Sequence, residues 1–177
     1  MKTSEIYFAG GCFWGIEHFF KQIAGVVETQ VGYANGKENR APTYKEVCTD
    51  TTGFAETVRV VYDADFVSIV FLTQMFFHAI DPLSVNRQGN DVGTQYRTGV
   101  YYTDKALLPQ IETVFRDVEE RLGQHLVVEL QPLQHFFPAE DYHQDYLIKN
   151  PQGYCHLPIG LFNWARKQQP TKIQKPR

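Results

Sequence analysis

Residues 10–15 read Gly-Gly-Cys-Phe-Trp-Gly and follow directly on a strand-like run, Ile6-Tyr7-Phe8-Ala9. A thiol set between glycines, where strand alternation gives way to helical spacing, belongs at a helix N-terminus. There the macrodipole and the unpaired backbone N–H groups favour thiolate over thiol. Phe13 and Trp14 come next, so the sulfur of Cys12 is expected to open onto an apolar wall. A soft nucleophile against such a wall suits attack on a small, uncharged, apolar group. Free cysteines are otherwise often small buried hydrophobes, and the glycines and helix start favour the reactive reading.

The elements that must position this thiol can be read along the chain. Residues 5–9 read as a strand, and a helix follows from about Phe13 to Ile23, with Ile16, Phe19, Phe20 and Ile23 on one face and Gly25 as its stop. Val27, Thr29 and Val31 alternate with polar residues as a second strand, before an Asn35-Gly36 turn signal. Thr57–Tyr62 reads as a third strand with Val58, Val60 and Tyr62 on one side. A helix through Ile69, Leu72, Phe76 and Ala79 comes next, capped by Asp65 or Ser68 and ended by Asp81-Pro82. Leu83–Arg97 reads as one long loop, and Thr98–Tyr102 as a fourth strand.

This β-α-β-β-α-β order predicts an α+β fold, a ferredoxin-like α/β sandwich of the split βαβ kind. A further helix with Ile111, Val114, Phe115, Val118 and Leu122 on one face, beginning or bending at Pro109 and closed by Gly123, is added to it, with a possible strand at Val127–Leu130. From Gln131 onward the chain is expected to be mostly loop, with one short helix around Pro138–Leu147 and a frayed tail over 168–177.

A chain of 177 residues, 43% hydrophobic and 14% aromatic, is expected to form one domain with a substantial core. Its formal charge of −3 and lack of a basic stripe point away from nucleic acid and anionic membranes. No apolar run approaches the ~20 residues of a membrane span and no leader pattern precedes Glu5, so a cytoplasmic protein is expected. Cys12, Cys48 and Cys155 are odd in number and widely spaced, unlike a secreted disulfide framework. No Cys-x-x-Cys or His/Cys cluster offers a metal site, and none is expected.

The Gly-Cys-Phe-Trp-Gly run resembles the active-site signature of the A-type peptide methionine sulfoxide reductases. Six further motifs resemble that family in the expected order. They are Gly32-Tyr33-Ala34-Asn35-Gly36, the segment Pro42–Cys48, Thr52-Gly53-Phe54-Ala55-Glu56, the segment Asn86–Arg97, Ala139–Gln144, and Asn150-Pro151-Gln152-Gly153-Tyr154-Cys155. The likeness runs from about Ile6 to about Leu161. It implies a thiol-dependent reductase acting on the S epimer of methionine sulfoxide, free or in proteins, with thioredoxin returning the electrons and no organic or metal cofactor.

Reducing a sulfoxide needs a soft nucleophile, an acid for the departing oxygen, and a dry pocket for the methyl group. The resemblance assigns Cys12 to the first role and Phe13 and Trp14 to the pocket, since aromatic faces suit sulfur and methyl groups. It assigns the acid to Glu56, which burial in that pocket would keep protonated. Tyr44 and Tyr96 match the family's donors to the sulfoxide oxygen, neutral phenols that bind it without quenching the acid. Asp91 matches its carboxylate, orienting a donor or a water, although an aspartate before a glycine turn is also an ordinary loop cap. Cys155, in its Gly-Tyr-Cys motif, matches the cysteine that condenses with a Cys12 sulfenic acid. Leu157–Trp164 holds no further thiol, and Cys48 reads as structural.

Two residues depart from the family pattern: Phe54 and Ile80 stand where relatives usually carry histidine. Two rivals stay open. A Cys-His hydrolase, with His18, His78 or His143 as base, would also put a cysteine at a helix start. A non-catalytic ferredoxin-like binding module would leave the Gly-Cys-Phe-Trp run unexplained.

Overall fold

In the computed structural model, which describes residues 1–170, a six-stranded mixed sheet carries its helices on one face. Strand β1 (Thr3–Gly10) leads into helix α1 (Phe13–Lys21). Strand β2 (Val26–Ala34), the single-turn helix α2 (Tyr44–Val47) and strand β3 (Ala55–Asp63) follow, then helix α3 (Ile69–Ala79). The expected loop over 83–97 folds further: β4 (Arg87–Gln88) and β5 (Asp91–Val92) pair as a two-rung hairpin. Strand β6 (Thr98–Tyr102), helix α4 (Leu108–Leu122), β7 (Glu129–Pro132) and β8 (Phe136–Pro138) complete the sheet. The helices α5 (Tyr146–Lys149) and α6 (Ile159–Lys167) close the described chain.

The strand order is β7-β6-β1-β3-β2-β8, antiparallel throughout except for the parallel β6–β7 pair. Alternation decides which face each side chain takes. Ile6 and Phe8 of β1, Val58, Val60 and Tyr62 of β3, and Val31 and Tyr33 of β2 join the main core under the helices. Phe8 is stacked between Phe20 of α1 at 4.6 Å and Phe76 of α3 at 4.9 Å. Tyr7, Ala9, Ala34, Ala55 and Tyr101 form a smaller cluster on the opposite face, covered by Leu133 and Phe136.

The helix signals operate as their chemistry requires. Ser68, not Asp65, caps α3, its hydroxyl accepting the Phe71 N–H at 3.0 Å. Pro109 sits in the first turn of α4, and Gly123 ends that helix in the left-handed conformation, φ +66°. The α4 crossover is what makes β6 and β7 parallel.

The C-terminal third is more ordered than its composition suggests. In place of one short helix over 138–147, a 3-10 turn at Asp141–His143 precedes α5, and Ile159–Lys167 forms a helix that sequence reading passed over. α6 docks on α1: Phe162 meets the His18 ring edge-on at 4.6 Å, and the Arg166 guanidinium donates to Gln22 Oε1 at 2.7 Å. Of the tail expected to fray over 168–177, residues 171–177 lie outside the described residues.

Candidate active site

Cys12 caps α1, at the turn where β1 leaves the sheet. Gly11 makes that turn possible, since its φ of +92° is closed to most other residues. Glu56 approaches from beneath. It stands on β3 in the same alternation as Val58, Val60 and Tyr62, so a carboxyl group projects from the apolar face of a central strand. It is only 1% exposed, and its Oε1 accepts the Phe13 N–H at the start of α1 at 3.2 Å. Oε2 has no hydrogen-bond partner among the described residues. Burial pushes its pKa up to about 8; the Phe13 N–H opposes this and the nearby Asp91 charge adds to it. At neutral pH Glu56 is mostly a carboxylic acid.

The thiol differs from its sequence expectation. Cys12 is 6% exposed. Burial first, then the Glu56 charge, hold its pKa well above the ordinary cysteine value, and the N–H of Trp14 only partly offsets them. Desolvation outweighs the helix start here. The resting group is a thiol.

The two aromatics after Cys12 take different places. Phe13 turns into the core, 1% exposed, with Tyr33 at 5.7 Å and His143 at 5.1 Å between ring centroids. Trp14 is half-buried and fixed from two sides. Its ring stacks on Tyr146 at 3.7 Å, and its Nε1–H donates to His143 Nδ1 at 2.9 Å. Tyr44, at the start of α2, sets its ring edge-on to His143 at 4.4 Å. Its backbone N–H donates to Glu140, which also accepts the Tyr33 hydroxyl.

Burial, with the Glu56 charge second, holds the hydroxyls of both Tyr44 and Tyr96 far above the phenol range, so both are neutral donors. Cys48, exposed at the end of α2, lies beside the Tyr44 hydroxyl.

Asp91 stands on β5, near enough for its charge to act on both Cys12 and Glu56. Its Oδ1 accepts the Tyr154 hydroxyl at 3.0 Å. Cys155 follows at once. Its sulfur accepts the Leu157 N–H at 3.4 Å and rests against α1, 3.1 Å from where a Gly15 Cβ would stand. A side chain at Gly15 would displace it. The same thiol lines a surface groove of about 470 Å³, walled by Leu147, Ile148, Leu157 and Phe162. All six residues singled out for catalysis therefore converge on the turn between β1 and α1.

Sequence reading missed the supports. His143 is fully buried and braces Trp14, Phe13 and Tyr44 at once, and Tyr146 backs the indole. Trp14 and His143 are 129 residues apart, so no local pattern joins them. Glu17 was readable as an acid on the apolar side of α1. It is 1% exposed and accepts the Asp145 N–H at 2.7 Å and the Thr29 hydroxyl at 2.9 Å, pinning the segment that presents Tyr146. The departures Phe54 and Ile80 are both packing residues. Phe54 meets Phe137 edge-on, and Ile80 closes on Gly10 just before the thiol turn.

A buried thiol, a carboxyl group held neutral and two neutral phenols over one strand–helix turn, on a mixed α/β fold, form a candidate site with the groups that thiol-based chemistry needs. The sequence model of the family described as peptide methionine sulfoxide reductase matches residues 4–175, and the chain belongs to that family. The peptide methionine sulfoxide reductase MsrA of Clostridium perfringens is 48% identical over 155 residues, which cover 88% of this chain and 98% of the relative. The reduced form of Mxr1 from Saccharomyces cerevisiae superposes with a TM-score of 0.82 at 38% identity, covering 87% of this chain and 89% of its own. Methionine sulfoxide reductase A of Corynebacterium diphtheriae gives 0.77 at 38% identity, covering 86% and 77%.

Proposed function

We propose that this chain reduces methionine S-sulfoxide, free or within proteins, to methionine, with Cys12 as nucleophile and Glu56 as acid. The observation that carries this is the state of Glu56: fully buried, protonated at neutral pH, and bonded through one oxygen to the backbone next to the thiol. An ionised glutamate would repel a thiolate and give the departing oxygen nothing. A neutral one donates to it.

In the reaction, Trp14, held by Tyr146 and His143, offers a flat apolar face to the methyl group, and Phe13 closes the floor from the core side. Tyr44 and Tyr96 donate to the sulfoxide oxygen as charge builds there. Asp91, on the hairpin, orients a donor or a water beside the sulfur. The Cys12 sulfur attacks the sulfoxide sulfur as Glu56 protonates the oxygen. Loss of the thiol proton returns Glu56 to its neutral form, and the hydroxyl passes to the Cys12 sulfur as the transient S–S bond breaks, so thiol plus sulfoxide becomes sulfenic acid plus thioether. Cys155 then condenses with the sulfenic acid and releases water. Thioredoxin reduces the resulting disulfide from the groove that Cys155 lines; yeast Mxr1 has been solved in complex with Trx2. The cytoplasm is the compartment we assign, since a recycled dithiol needs a reducing one. We read the chain as one domain whose central strands, β6-β1-β3-β2, follow the ferredoxin-like split βαβ scheme; their order and antiparallel pairing support it.

The test is dithiothreitol-driven reduction of the two resolved epimers of methionine sulfoxide. Turnover of the S epimer alone is expected. Turnover of neither contradicts the reading, and ester and amide substrates then test a hydrolase.

A further inference from the structure

The segment that carries Cys155 brings a second titratable group to the Cys12 turn, His156, which the reaction above leaves unused. A Cβ at Gly11 would fall 3.2 Å from its Nε2, and one at Gly15 would fall 3.4 Å from its Cε1. Cys12 lies between those two glycines in the chain, so the imidazole lies across the turn that holds the nucleophile. The Cys155 sulfur shares the Gly15 cradle, 3.1 Å from the same point. The hairpin closes the other side, where a Cβ at Gly89 would fall 3.5 Å from the His156 Cβ. The ring therefore lies beside both the Cys12 turn and the Cys155 sulfur.

Both ring nitrogens are buried and neither makes a close hydrogen bond among the described residues; the Gly10 carbonyl lies near enough to accept from one of them, which leaves the other free. Buried polar groups are nearly always paired, so an imidazole with a free buried nitrogen beside two thiols invites a role in chemistry. The titratable groups around it are Asp91 on β5, Cys12 on the turn, and Tyr154 and Cys155 on its own segment. Asp91 favours the charged ring, but burial dominates and keeps it below the usual histidine range, so it is a free base at neutral pH. Cys155 has the opposite problem. Burial holds its thiol above the ordinary value, and little thiolate exists to attack.

We propose that His156 accepts the proton of Cys155 as that sulfur attacks the Cys12 sulfenic acid. The proposal rests on the reading of Cys12 and Cys155 given above. The new bond is S–S, and the bond that breaks is S–O at Cys12. The Cys155 sulfur is oxidised and the Cys12 sulfur reduced, so no outside oxidant is needed. The hydroxide that leaves Cys12 takes the proton from the imidazolium and departs as water. In the reduced form the Cys155 sulfur faces the Leu157 N–H, so the segment must turn for the thiol to meet the ring.

The test is single turnover with one equivalent of resolved methionine S-sulfoxide and no reductant, in wild type, His156→Gln and His156→Asn, from pH 6.5 to 8.5. Methionine, free thiols and the dimedone adduct of the sulfenic acid are followed in time. Both variants are expected to form methionine at the wild-type rate but the disulfide about 10²-fold more slowly at pH 7, with the dimedone adduct accumulating. Their disulfide rate should climb about tenfold per pH unit, tracking thiol ionisation, while the wild-type rate stays nearly flat. Disulfide formation within threefold of wild type with the same pH profile overturns the proposal. So does a parallel fall in both steps, which would make His156 a packing residue. Failure of wild type to form methionine would instead sink the reading on which the proposal stands.

Discussion

The two thiols of the proposed cycle sit on opposite kinds of structure. Cys12 and its acid are carried by the centre of the sheet. β1 is paired on both sides, to β6 and β3, and β3 to β1 and β2, with Glu56 directly in register with Tyr33. Cys155 lies in residues 150–158, a stretch with neither helix nor strand. The Asn150 amide on the Tyr146 carbonyl, the Tyr154 hydroxyl on Asp91, and the packing of Cys155, His156 and Leu157 against the α1 turn and the core hold it. The difference matches what each step demands. Protonating a departing oxygen as sulfur attacks requires groups fixed to a fraction of an ångström, which paired strands provide. Joining two sulfurs requires their Cα atoms to come within about 7 Å, which a weakly held segment can achieve by moving.

The largest expected effect breaks the rigid half outright. Cys12→Ser should abolish methionine formation, because a buried hydroxyl is no comparable nucleophile. Activity within tenfold of wild type, a barrier change of only ~1.4 kcal/mol, would mean another thiol attacks.

Glu56→Gln tests the same half more finely. It should slow the reductive step by about 10²–10⁴-fold in single turnover with little change in substrate binding. The wild-type rate should fall above about pH 8 as Glu56 ionises, and the variant should lose that limb. Equal rates at neutral pH would show that the acid is misassigned.

A smaller effect concerns stability. Glu56 rises from an ordinary 4.5 to about 8 on folding, so between these values the folded protein holds a proton that the unfolded chain has released. Wild-type stability should therefore drop as pH climbs through that window, by on the order of a few kcal/mol at its upper end. Glu56→Gln carries no such linkage. Thermal melts should show it more stable than wild type at pH 8 and about equal at pH 4. A constant difference across that range would contradict a protonated, buried Glu56.

Much of the rigid half is readable from local pattern. Thr98–Tyr102 as a strand and Gly123 as a stop follow from alternation and cap chemistry and appear in the structure, while cap chemistry left Asp65 and Ser68 as equal candidates and the structure takes Ser68. Glu56 is legible only through the family resemblance: from the residues alone it stands just before a strand at Thr57–Tyr62, where a glutamate is more often solvated, and only the structure extends the strand to put it in step with Val58, Val60 and Tyr62. The thiol's charge state is not readable in that way. A helix start argues for a thiolate, but burial depends on what other parts of the chain lay over Cys12, and burial wins. The supports fail for the same reason: Trp14 meets His143 across 129 residues of chain, and Tyr146 beside it. Helix α6 was missed because Pro158 and Gly160 sit where its first turn begins, although Phe162 and Ala165 mark its buried side.

In the proposed cycle a sheet-held Cys12 does the chemistry and a loop-held Cys155 resolves it. Peptide mapping by mass spectrometry, after wild type, Cys155→Ser and Cys48→Ser are each oxidised with one equivalent of methionine S-sulfoxide, tests it most directly. A Cys12–Cys155 bridge is expected in wild type and in Cys48→Ser, which should still cycle with thioredoxin. Cys155→Ser should release one equivalent of methionine and then stall with no intramolecular bridge. A Cys12–Cys48 bridge in wild type, with thioredoxin turnover intact in Cys155→Ser, would contradict the account, because the resolving thiol would then be the one at the end of α2.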